Sequence, residues 1–390
     1  MAEKIAEEIR ARGPMTFRRF MELALYCPVY GYYEKEGDTI GRRGDYYTSV
    51  SVGSLFGQLL ACQFAEWLEG RSPGVGVDFA QGTQAVQLVE AGAHAGQLAK
   101  DILTWLRERR RGLFERLEYV VVEVSERRRE WQERTLAGFG SRVRWVSSLG
   151  ELAGVQGLVF CNELLDALPA RRLGWDAKAQ AWYEWGVTLE GGRFVWTIMG
   201  EIKSEGGSQE SGAAKTLHGA RTTLHVSIPE LPSELAAVLP DGFTVEVCPA
   251  AAEWWRTAAG ILKSGKLVAI DYGLTADELL VPERAPGTLR AYYRHQVAGD
   301  VLGRPGEQDL TAHVNFTALA QAGEGAGLRT EAFCGQAEFL TRIAARAWRD
   351  AGEFGVWTPA HTRQFQTLTH PEHLGHAFRV LVQGRSKEAD

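Results

Sequence analysis

Four short, nearly continuous apolar runs follow one another in the first half of the chain: AVQLVEAG (85–92), EYVVVEVS (118–125), VRWVSS (143–148) and GLVFCNELLD (157–166). Strands read this way when both faces of their sheet are covered. Between the first two lies AGQLAKDILTWLRERRRGLFERL, with apolar residues at helical spacing and a basic end suited to a helix C-terminus. Between the second and third lies SERRREWQERTLAGFG, which opens on a capping serine and closes at glycine. Strands alternating with helices need right-handed crossovers, so the pattern predicts an α/β fold with a doubly wound, mostly parallel sheet.

The alternation breaks at residues 170–199, which alternate with period two around turn signals at WDAK and EGGR. That stretch predicts antiparallel strands, an insertion rather than another crossover unit. Its tryptophans (Trp175, Trp182, Trp185, Trp196) are expected in packing. Residues 201–216 have the composition of a mobile loop. The parallel pattern is expected to resume with GFTVEVC (242–248), a helix in PAAAEWWRTAAGILKSG and the strand KLVAIDYG (266–273). The expected organisation is a helical lid segment over 1–75, a core formed by 76–169 and 240–390, and an inserted β-rich substrate or partner region over 170–239.

A chain of 390 residues with 45% hydrophobic and 24% charged side chains has an ordinary globular composition. The net charge of -6 weighs against a general nucleic-acid binder. No apolar run approaches the roughly 20 residues of a membrane-spanning helix. The opening MAEKIAEEIRARGPM reads as an amphipathic helix rather than a targeting segment. The five widely spaced cysteines suggest reduced thiols and a cytoplasmic setting, and no residue spacing suggests a metal site.

Ligands of parallel sheets bind beyond the carboxyl ends of the strands. In EAGAHAG, Gly92 and Gly96 allow backbone to approach a ligand, and the following helix offers free N–H groups. Glu123 closes the second run, where an acid can accept hydrogen bonds from both ribose hydroxyls. The spacing lacks the GxGxxG pattern of a dinucleotide site, which disfavours a nicotinamide-dependent oxidoreductase. S-adenosylmethionine carries no phosphate and tolerates a looser loop. Glu90, just before the first glycine, favours it.

The segments FMELALYCPVYGYY, IGRRGDYYTSVSVGSLFG, CNELLDALPARRL, LVAIDYG, GTLRAYYRHQV, PGEQDLTAHVNFTAL and HPEHLGHAFRVLV run in the order of the MidA-type methyltransferases, and the chain resembles that family over nearly its whole length. The resemblance implies a class I, Rossmann-like methyltransferase fold with S-adenosyl-L-methionine as cofactor and a protein substrate. A characterised mitochondrial member methylates an arginine of a respiratory complex I subunit. The family resembles ELGPG-x-G at its loop, where this chain has Ala93-His94 in place of Pro-Gly. That departure keeps open a second reading, a catalytically silent relative acting as an assembly or scaffold protein.

The expected cofactor contacts are Glu90, Gly92, Gly96, Glu123 and Ser147, with Asp45, Tyr47 and Thr48 from an N-terminal segment that, by the resemblance, closes over the cofactor. A guanidine nitrogen becomes nucleophilic only when carboxylates orient it and take up charge. Glu163 and Asp166 are the acid pair expected to do this, with Asn162 holding the acceptor or the cofactor's amino-acid end. The alternative for all three is a helix-terminal acid or cap. Arg294, His295, Asp309, Thr311 and His313 are expected to border an acceptor groove.

Overall fold

The computed structural model describes residues 1–34, 48–70, 85–201, 231–294, 296–349, 351–371, 374–375 and 377–385. The chain opens with helices α1 (Ala2–Arg12), α2 (Phe17–Tyr26) and α3 (Leu55–Leu68). Then β1 (Val86–Ala91), α4 (Gln97–Arg109), β2 (Leu117–Val122), α5 (Glu126–Leu136), β3 (Val143–Val146) and β4 (Val155–Asn162) alternate as expected. After the insertion come α6 (Pro249–Ile261), β5 (Leu262–Leu274), α7 (Phe316–Gly325), β6 (Arg329–Gly335), α8 (Gln336–Arg349), α9 (Pro359–Thr369) and β7 (Phe378–Arg385).

The seven strands lie in the spatial order β6-β7-β5-β4-β1-β2-β3, and Val314–Asn315 adds a short pairing on β5. Strands β1 to β5 are parallel, while β7 runs antiparallel to both β5 and β6. The sheet is therefore mostly parallel and doubly wound. Its apolar runs are continuous because alternate residues go to different cores. Leu88, Leu158, Phe160, Val268 and Ile270 pack with α3, α4 and α8. Val89, Val159, Cys161, Leu267 and Ala269 pack with α6 and α7. The strands come close at Gly157, where an added Cβ would sit 2.0 Å from the Gln87 carbonyl oxygen. No side chain fits there.

A second, antiparallel sheet contains Arg171–Asp176, Ala181–Glu190, Arg193–Glu201 and Met15–Thr16. The tight turn at Gly191-Gly192, with φ of 55° and 80°, matches the mirror-image turns that suit strand twist. Trp175 and Trp182 are buried in its own small core.

Two expectations change. Residues 242–248 do not resume the parallel sheet, because Thr244–Val247 pairs antiparallel with Arg171–Gly174 in the second sheet. A four-residue strand carries too little pattern to choose its partner, and burial against Leu173, Trp175 and Trp182 decides it. Helix α3, expected with the N-terminal lid, joins the main core. Its sequence LFGQLLACQFAEWL is apolar around most of its circumference, and it packs between α4 and α8. The loop expected over residues 201–216 lies outside the described residues except for Glu201.

Candidate active site

The carboxyl ends of β1 and β4 open onto a cavity of about 520 Å³. Strand β1 delivers Glu90, which lines the cavity, accepts the Tyr119 hydroxyl at 2.6 Å and is pushed up to about 7 by burial. Gly92 follows with φ 78°, and a Cβ there would meet Leu164 Cδ1 at 3.0 Å. The chain then turns back, the Gly96 N–H donating to the Ala93 carbonyl at 2.7 Å.

His94 adopts φ 45°, a conformation it tolerates better than most side chains. Its ring lies edge-on to Trp131 of α5, with the centroids 6.0 Å apart. Gly96, at φ 82°, starts α4 and does not line the cavity. Its bareness serves the left-handed backbone, since a Cβ would meet only an ordinary contact, 3.4 Å from Gln132 Cα.

Glu123 stands beyond β2, buried and pushed up by that burial. One carboxylate oxygen accepts the Ser125 N–H and the other accepts Gln132 Nε2, each at 2.9 Å. Gln132 also donates to the His94 carbonyl and accepts from Trp145 Nε1, so it ties the loop to Glu123, which does not itself line the cavity. Ser147 departs from expectation. Strand β3 ends at Val146, leaving Ser147 exposed outside the cavity, its N–H donating to Glu151 instead.

Strand β4 ends at Asn162, and a turn follows where a helix would have made its acids caps. Glu163 takes φ 52°, an αL conformation uncommon for a side chain of this size. Its N–H donates to the Ile270 carbonyl of β5 at 2.9 Å. One carboxylate oxygen accepts Ser49 N–H at 3.2 Å and Asn162 Nδ2 at 3.1 Å. The other has no hydrogen-bond partner among the described residues. Burial pushes Glu163 up to about 8. Asn162 Oδ1 is buried beside it with no partner among the described residues, although both side chains line the cavity.

Asp166 is buried behind this turn and does not itself line the cavity. Burial first, then repulsion from Asp271, Asp309 and Glu163, raises its pKa well above the ordinary carboxylate range. Asp271, on β5, is the acid that sequence reasoning passed over. Its carboxylate accepts N–H groups from Leu164 at 3.1 Å, Leu165 at 2.8 Å and Tyr272 at 2.8 Å. Burial pushes Asp271 up to about 6, and the backbone donors, which favour the charged form, keep it from rising further. Between these two coupled acids, Asp271 keeps the charge and Asp166 the proton. The only sequence signal was its place at a strand end, in DYG.

The N-terminal segment forms the opposite wall. Thr48 lines the cavity in a reciprocal turn with Ser51, and the expected neighbours Asp45 and Tyr47 lie outside the described residues. Tyr26 donates to the Ala167 carbonyl at 2.9 Å and Tyr33 to Asp309 at 2.7 Å. Arg128 lies 4.8 Å over the Tyr33 ring. These three residues were not read from the sequence, because two tyrosines near the N-terminus look like packing and an arginine of α5 looks like surface. Of the expected groove residues, Asp309 joins the acid group. Arg294, Thr311 and His313 do not line the cavity, and His295 lies outside the described residues.

A sulfonium nucleoside with an amino-acid tail suits this cavity. An orphaned buried acceptor awaits a donor at Asn162, and Gly92 leaves backbone bare at the loop. Ala93 and His94 both line the cavity, the His94 ring lying edge-on to Trp131.

Comparison with known proteins agrees. A family profile for S-adenosyl-L-methionine-dependent methyltransferases matches residues 59–334. The mitochondrial protein arginine methyltransferase NDUFAF7 homolog of Drosophila melanogaster is 26% identical over 410 residues, spanning 98% of this chain and 84% of its own length. Mitochondrial protein arginine methyltransferase NDUFAF7 of Mus musculus is 28% identical over 83% of this chain and 70% of its own. A superfamily member from Burkholderia thailandensis, solved with S-adenosyl-homocysteine bound, superposes with a TM-score of 0.76 at 30% identity, covering 100% of this chain and 92% of its own.

Proposed function

Because the chain belongs to the S-adenosyl-L-methionine-dependent methyltransferase family, we propose that it transfers the methyl group to an arginine side chain of a protein. The observation that carries this reading is the group of four acids, Glu163, Asp166, Asp271 and Asp309, within electrostatic reach of one another, of which Glu163 faces the cavity and the others stand behind it. Such a cluster is costly to bury unless a cation joins it. The curated relatives are protein arginine methyltransferases, which supports a guanidinium as that cation. By the family resemblance, a respiratory-complex subunit is the first acceptor to try.

The cofactor, when bound, supplies a methyl group on a positively charged sulfur. In this reading Gly92 and Glu90 border the donor, Thr48 closes over it, and Glu123 faces its sugar with Gln132 moved aside. Asn162 Oδ1 accepts a hydrogen bond from the bound molecules. Glu163 orients the guanidine nitrogen, whose lone pair forms the new N–C bond as the C–S bond breaks. The same carboxylate takes up the proton that this nitrogen releases, and the raised pKa of Glu163 suits that task near neutral pH. Asp166 and Asp271 stand behind Glu163, and Asp271 holds its turn by accepting the Leu164 and Leu165 N–H groups.

The test is product analysis. Labelled S-adenosylmethionine and candidate acceptor proteins, followed by acid hydrolysis, should give radioactive methylarginine. Label recovered in methyllysine, or in a base-labile ester, would overturn the choice of acceptor.

A further inference from the structure

The carboxylate of Glu163 accepts two donors among the described residues, Asn162 Nδ2 and the Ser49 N–H. Asn162 is its neighbour in the chain. Ser49 lies 114 residues away, so tertiary contacts must bring its N–H to the acid. Residues 48–51 form a closed turn. The Thr48 N–H donates to Ser51 Oγ at 3.0 Å, and the Ser51 N–H donates to Thr48 Oγ1 at 3.1 Å. Fixing one atom of that turn fixes the rest.

The fixed atom is Ser49 Oγ, which donates to Gln336 Oε1 at 3.1 Å, both residues being fully buried. Gln336 opens α8, and its Nε2 donates to the Leu368 carbonyl of α9 at 3.2 Å. That second bond sets the amide's orientation: only the nitrogen can meet a carbonyl, so the oxygen faces Ser49. The Ser49 hydroxyl is thereby committed to Gln336, and its backbone N–H is left for Glu163. A buried amide is costly unless hydrogen-bonded, and an apolar side chain would fill the same space at less cost. Packing alone does not call for glutamine at position 336.

We propose that Gln336 is a positioning residue for methyl transfer, holding through Ser49 the N–H that orients the Glu163 carboxylate. The inference rests on the reading of Glu163 as the proton acceptor. An N–H donor favours the charged carboxylate, so its loss should raise the acid further and leave less of it ionised near neutral pH.

Gln336→Met keeps the length and removes the amide, and Ser49→Ala removes only the hydroxyl. Each should lower kcat about tenfold or more, the worth of one hydrogen bond to a charged group. Each should also move the midpoint of the kcat/KM profile upward by about half a pH unit or more. The other titratable groups about Glu163, namely Asp166, Asp271, Asp309 and Tyr272, are unchanged in both variants. S-adenosylhomocysteine affinity by calorimetry should stay within about twofold, which also shows that the variants fold. In a Glu163→Gln background the same substitutions should alter the residual turnover less than about twofold, because the carboxylate they serve is gone. Carbon-13 NMR of labelled glutamate carboxyls reads the upward shift without any acceptor, with Glu163 assigned by its absence in Glu163→Gln. An unmoved Glu163 titration in both variants would overturn the proposal. An equal loss of turnover with and without the Glu163 carboxylate would do the same, since Gln336 would then only support the fold. Full turnover in Glu163→Gln alone is a separate failure, that of Glu163 as proton acceptor, and the carboxyl titration still decides whether Gln336 holds it.

Discussion

Glu163 shows how one residue concentrates the chemistry. Its positive φ turns the side chain back toward the cavity, and the β5 carbonyl and Ser49 hold it there. Strain of this kind, on the order of 1–3 kcal/mol, persists only where the surroundings enforce it. Glu163→Gln keeps the shape and removes the proton acceptor. It should lower turnover on the order of 100-fold or more while S-adenosylhomocysteine binds as before. For the wild type, kcat/KM should rise as pH increases through about 8, because the free carboxylate must be ionised to accept the proton. A flat profile between pH 6 and 9 would remove Glu163 from that role.

At the scale of elements, the loop from β1 to α4 decides whether Ala93-His94 damages the site. The bare positions that matter are Gly92, close against Leu164, and Gly96, whose φ of 82° suits glycine. Both survive. The substituted pair lies between them on the cavity wall, with the imidazole edge-on to Trp131. A double substitution, Ala93→Pro with His94→Gly, should therefore change S-adenosylhomocysteine affinity by less than about threefold, an effect below roughly 0.7 kcal/mol. A gain of a hundredfold in titration would instead mark the native loop as impaired.

For the whole molecule, acids pressed into one cavity set how stability follows pH. Glu163 and Glu90 are raised from an ordinary 4.5 to about 8 and about 7 by burial. A raised carboxyl contributes stability that is fully present below the unfolded value and is lost as pH climbs through the folded one. The Tm should fall between pH 5 and pH 9. Glu163→Gln should flatten that fall and melt a few degrees above the wild type at pH 9, with little difference near pH 4.5. Parallel curves for the two proteins in scanning calorimetry would mean that burial does not raise Glu163. A bound cation in the acid group should also lift the alkaline end.

The amino-acid order by itself determined the alternation of strand and helix, since local period and caps are short-range properties. It also determined that Glu90, Gly92, Asn162 and Glu163 stand at strand ends, because a strand's end is marked by where its apolar run stops. Tertiary structure alone decided which edge Thr244–Val247 would join and that α3 would enter the core, because several partners satisfy one apolar pattern. It also decided the company Glu163 keeps. Leu164 and Asp271 meet across 107 residues, and Tyr33 and Asp309 across 276. Nothing in a local window encodes such a meeting. The acid group and its pKa values arise only when sheet topology brings distant strand ends to one side and closes water out.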